Sequence, residues 1–122
     1  MPITRCNSAG FQILLGLALL VASAAMLSPK APESLLSLEW EDKLWHLLTF
    51  VVLAFLADAG WPDKGFVPAK YLPLFAYGIG IELLQQLIPN RHLGLDDMIA
   101  DGAGLLLYGL LILPLLRRWR IR

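Results

Sequence analysis

Cysteine is almost missing from this sequence: Cys6 is the only one in 122 residues, which excludes an internal disulfide and any metal cluster built on cysteine. Charge is scarce too. Charged residues make up 16% of the chain, against about a quarter in ordinary globular domains, and ten basic residues balance ten acidic ones. No basic tract of the kind that neutralises phosphates is present, so no nucleic-acid partner is indicated. Dense catalytic signatures are also lacking. There is no H-E-x-x-H pattern and no serine or cysteine beside His46, which weighs against an enzyme.

What the chain has in place of charge is apolar length. Hydrophobic residues make up 57% and the mean hydropathy is +0.63, too apolar for a soluble domain of this size. Four apolar blocks are separated by short polar clusters, and each approaches the roughly 17 to 25 residues that a helix needs to cross a ~30 Å hydrocarbon core. Open backbone groups find no partner in lipid, and four segments cannot close a barrel, so helices are the economical choice. The reading is all-α: one polytopic membrane domain over 1–122, a bundle of four transmembrane helices at about 11–27, 43–60, 69–88 and 97–116. SPKAPES (Ser28 to Ser34), GWPDKG (Gly60 to Gly65) and IPNR (Ile88 to Arg91) supply the breaks. Pro73 and Pro114 predict kinks.

Lysine and arginine placement biases orientation. With both termini in the cytoplasm, the inner side receives Arg5, Lys64, Lys70, Arg117, Arg118, Arg120 and Arg122, and the outer side Lys30, Lys43 and Arg91. The expectation is a multi-pass protein of the bacterial cytoplasmic membrane with its acid-rich loops outside. Trp40, Trp45, Trp61 and Trp119 fall at the predicted interfaces. The competing reading of the start is a cleaved leader, because Arg5 precedes an apolar run ending near Ala22-Ser23-Ala24. That run is long for a leader.

The polar residues inside the blocks are patterned. Glu82, Gln85 and Gln86 are spaced i, i+3 and i+4 and share one face of the third helix. Asp97, Asp101, Gly104 and Tyr108 do so on the fourth, and Lys43, His46 and Phe50 on the second. At ~1.5 Å per residue, Glu82 lies roughly 9 Å below the outer end of its helix, with His46 and Asp101 about a turn below theirs. Intramembrane ionisable groups face the bundle interior or a wet cavity. Plainer roles stand beside this: Asp96 or Asp97 as a helix cap, Arg91 as an interfacial anchor, and Glu82 as a neutral acid hydrogen-bonded to another helix.

DKLWHLLTF, GIGIELLQQLIPNR and DDMIADGAG, in that order, resemble the VanZ-like family of small bacterial membrane proteins over about Asp42 to Gly109. The family pattern runs Asp-Lys-x-x-His, then Glu-x-x-Gln with a proline and an arginine beyond, then Asp-x-x-x-Asn/Asp and glycines. The resemblance implies that Asp42, Lys43, His46, Glu82, Gln85, Arg91, Asp97 and Asp101 are the site positions. Two departures stand out: Asp101 occupies a place where asparagine is commoner, and the glycines Gly104 and Gly109 lack GxxxG spacing. The family's name comes from association with resistance to the glycopeptide teicoplanin; what carries over is a cell-envelope role.

Three functions follow as expectations. The first is a binding module whose polar pocket faces the outer leaflet and takes the headgroup of a lipid or lipid-linked envelope precursor, with Arg91 and Lys43 on a phosphate and no cofactor. The second is a membrane enzyme in which His46, Glu82, Asp97 and Asp101 hold a divalent cation that assists phosphoryl or acyl chemistry. The third is a scaffold whose polar groups fix helix register. The sequence leaves open whether the chain forms a homo-oligomer.

Overall fold

The computed structural model of the chain describes residues 5–27, 41–62, 65–87 and 95–119, and every regular element among them is helical. α1 is Arg5–Met26, α2 Glu41–Gly60 and α3 Pro68–Gln85. α4 (Leu95–Leu107) runs without a break through a π-helical turn, Tyr108–Ile112, into α5 (Leu113–Arg118), so the described residues form four helical rods. Two of them, over Asn7–Met26 and Met98–Arg118, are long and apolar enough to cross a membrane; the apolar part of α2, Leu44–Gly60, is shorter.

The helix bounds depart from the sequence expectation in ways the local chemistry explains. α1 begins at Arg5 rather than near Phe11, since neither proline nor glycine interrupts residues 5 to 9. α3 begins at Val67–Pro68, where proline at the first helical position loses no needed N–H. It stops at Gln85 rather than Ile88, and Leu87 N–H turns back to the Leu84 carbonyl at 3.1 Å. Pro89 has no N–H to offer the Gln85 carbonyl. At Pro114 the rod widens: Leu113 N–H reaches five residues back to the Tyr108 carbonyl, a π turn that absorbs the missing donor, whereas Pro73 lies inside α3, which is helical on both sides of it.

α2 is the central rod, packed on α1, α3 and α4. Its Phe50, Leu53, Ala54 and Ala57 meet Leu74 of α3 and Leu105, Tyr108 and Leu113 of the last rod in one buried cluster. Gly104 brings α4 against α2. A methyl there would lie 2.5 Å from the Leu47 carbonyl oxygen and 3.1 Å from Phe50 Cβ, so the close approach forms at one glycine without GxxxG spacing. Gly109 instead faces the ring of Phe66.

Polar side chains tie the rods at their ends. Gln12 Nε2 donates to the Gly60 carbonyl at 2.8 Å, and Gln85 Nε2 to the Met26 carbonyl at 2.6 Å. Both acceptors are last-turn carbonyls that no helical N–H can reach. Tyr77 and Ser23 join α3 to α1 through hydroxyls 2.7 Å apart, and each reaches the Leu19 carbonyl.

Much of the surface is apolar, and the interior holds polar side chains beside its apolar cluster. On α1, Ile13, Leu14, Leu17, Leu20 and Val21 are at least half exposed, and Ile99, Leu106, Leu110 and Leu111 form an equally bare face on the last rod. The buried set includes His46, Asp58, Lys70, Glu82, Gln85 and Asp101. This inverts the usual distribution in water, where Lys, Asp and Glu are almost never fully buried.

Candidate functional site: two buried polar layers

The polar residues of the interior form two layers. His46 and Asp58 lie twelve positions apart on α2, about 18 Å at ~1.5 Å per residue, and each anchors one layer.

In the first layer, α2, α3 and α4 contribute one side chain each. His46 Nδ1 and Asp101 Oδ1 share a hydrogen bond of 2.9 Å, and His46 Nε2 lies 3.9 Å from Glu82 Oε1. One donor atom from each of the three residues can be chosen so that all lie within 4.8 Å of one another. Burial is nearly complete, with exposures of 8% for His46, 0% for Glu82 and 1% for Asp101. Gly78 makes the room. It stands one turn before Glu82 on the same face of α3, and a methyl there would fall 2.6 Å from Asp101 Oδ2 and 2.9 Å from Phe50 Cζ. Phe50, whose ring lies 6.1 Å from that of Tyr77, stands one turn after His46 and belongs to the apolar core cluster.

The second layer has a different composition. Lys70 Nζ donates to Asp58 Oδ1 at 2.8 Å and to the carbonyls of Asp58 and Trp61 at 3.1 and 2.8 Å; Tyr108 donates to Asp58 Oδ2 at 2.6 Å. One cation, one anion and one hydroxyl thus meet by short hydrogen bonds. Lys70 also closes the C-terminus of α2, where a positive charge suits the helix dipole. Phe55 and Phe66 pack edge-on against the Tyr108 ring. The sequence reading treats Lys70 only as a topology charge and gives Asp58 no site role. No periodic signal links them to Tyr108, 50 positions from Asp58.

Of the eight site positions read from the sequence, the structure brings His46, Glu82 and Asp101 into contact distance. Gln85 is buried on the Glu82 face but its amide nitrogen is spent on the end of α1. Asp42 and Lys43 fall in the first turn of α2 and Asp97 in that of α4, with side chains outside the described set. Arg91 lies outside the described residues, as do Trp40 and the segments 28–40 and 88–94. Trp45, Trp61 and Trp119 are each about half exposed or more. Gly78, which the sequence reading does not single out, has one available signal: its position four residues before a buried acid.

No family model, no curated protein and no solved structure matches this chain.

Proposed function

We propose that the chain is a VanZ-like, multi-pass protein of the bacterial cytoplasmic membrane. Its four rods all span, and both termini lie in the cytoplasm. The His46–Glu82–Asp101 layer is the inner wall of a pocket at the outer-leaflet end that binds the headgroup of a lipid or lipid-linked envelope intermediate. Lys43 and Arg91, placed by sequence at the same end, serve its phosphate. The apolar outer faces of α1 and the last rod meet lipid tails, and α2 and α3 complete the bundle. Teicoplanin-type resistance is one envelope phenotype that such a protein could influence.

The observation that carries this reading is the contrast between the two layers. Among the described residues of the Asp58–Lys70–Tyr108 layer, an acid meets a lysine and a hydroxyl, as a structural polar contact requires when buried. In the His46 layer two acids converge on one imidazole from three different helices. A scaffold gains nothing from concentrating acids where burial is complete, whereas a site that exchanges ligands does.

Native mass spectrometry of protein purified in mild detergent tests the proposal. A specific co-purifying lipid or lipid-linked species is expected, and its loss from Arg91→Lys should exceed its loss from Lys43→Arg, because lysine lacks the planar fork that holds a phosphate with two bonds. Delipidated spectra for the wild-type protein, with no lipid rebound from a total envelope extract, would refute the pocket.

A further inference from the structure

The headgroup reading leaves one electrostatic matter open: two carboxylates line a pocket meant for an anion. We infer that His46, Glu82 and Asp101 bind a divalent transition-metal cation, of the Zn²⁺ or Mn²⁺ kind, and that this cation bridges the acidic layer to the phosphate of the headgroup. The inference rests on the headgroup reading for its ligand, but the ion site stands on its own geometry.

Three observations carry it. The donor set is one imidazole nitrogen and two carboxylate oxygens, a mixture that suits Zn²⁺, Mn²⁺ or Fe²⁺ better than Ca²⁺ or Mg²⁺, which prefer oxygen alone. The spacing fits. Metal–ligand bonds of about 2.0–2.2 Å place tetrahedral ligand atoms about 3.4 Å apart, and the donors already lie within 4.8 Å of one another, so the widest pair would close by up to roughly 1.4 Å, within reach of side-chain rotation. The three residues come from three helices and are buried, with Gly78 and Gly104 holding the rods close enough for convergence. Such a cluster is not an exposed acidic patch.

Three protein donors leave at least one coordination position for a phosphate oxygen or water.

The test uses full-length protein in mild detergent, freed of its affinity tag so that no added histidines bind metal. Zn²⁺ and Mn²⁺ are titrated separately, and bound metal is read by elemental mass spectrometry after gel filtration. About one equivalent of one of these ions is expected on the wild-type protein, bound roughly tenfold or more weakly by Glu82→Gln, Asp101→Asn and His46→Gln. Should a variant elute as aggregate, Co²⁺ loaded into wild-type protein gives the answer: visible ligand-field bands of mixed nitrogen and oxygen coordination support the site. A wild-type protein that retains no Zn²⁺, Mn²⁺ or Co²⁺ overturns it, as does undiminished binding by a folded variant lacking all three donors. Lipid is measured in the same samples before and after chelation. Lipid that stays on chelated, metal-free protein removes the cation bridge and leaves the headgroup reading intact; metal retained with no lipid keeps the ion site and removes the headgroup reading.

Discussion

Gly78 and Gly80 are two positions apart on α3, yet only the first is spoken for. A methyl on Gly78 would collide with Asp101 and Phe50, while nothing lies within 4 Å of the corresponding point on Gly80. Gly78→Ala should therefore cost about 1–3 kcal/mol through overpacking, and Gly80→Ala should be neutral or stabilising by up to about 1 kcal/mol, because alanine favours the helix. Thermal unfolding in detergent, followed by circular dichroism, compares them; equal effects would mean that Gly78 does not seat the acid layer. Glu82 makes a second prediction. Glu82→Gln keeps the shape and removes the charge, so the bundle should remain folded while ligand retention is lost. A stable variant with full retention would assign Glu82 to a neutral structural role. At this scale much was legible: His46, Glu82 and Asp101 stood out because an acid or imidazole in an apolar helix has few reasons to be there, and their spacing placed them at one level. Gln85 shows the limit. The helical period put it on the Glu82 face, but only the packing of α1 reveals that its amide caps Met26.

Among the elements, the last rod was legible in extent but not in form. Pro114 predicts a kink; the structure answers with a π turn, which shifts the register of the side chains that follow, while Tyr108 at its start donates to Asp58. The Asp58–Lys70–Tyr108 contact joins three rods through residues whose sequence separations carry no period, so pattern reading had no purchase on it. Breaking it from one side should be expensive. Lys70→Met leaves Asp58 buried without its cation and is expected to destabilise by about 3–5 kcal/mol, and Tyr108→Phe by about 1.5–3 kcal/mol, as loss of a hydrogen bond to a charged group. The double variant Asp58→Leu/Lys70→Met should recover much of the first loss, since well-packed apolar residues can replace a buried pair. Denaturation midpoints for the three proteins decide this: a double variant weaker than Lys70→Met would show that the contact contributes more than matched charge.

For the whole molecule, the distribution of apolar and polar surface was legible from composition, and two of the rods are long and apolar enough to span. Orientation rests on the placement of basic residues. Five of the seven basic residues assigned to the inner side are Arg5, Arg117, Arg118, Arg120 and Arg122, near the two ends of the chain. A cytoplasm-active reporter fused after Arg122 should report, and a periplasm-active one inserted within residues 29–34 should report as well. Activity of a periplasmic reporter at the C-terminus would invert the placement of both polar layers.

Between those layers α2 presents Phe50, Leu53, Ala54 and Ala57, all buried. In the proposed orientation this stretch is a dry septum, with ionisable groups above and below it and none of them on this face of α2 within it. The bundle should then be electrically tight: vesicles carrying it ought to hold an imposed pH gradient as long as protein-free vesicles do, and whatever enters the upper layer must leave by the side from which it came.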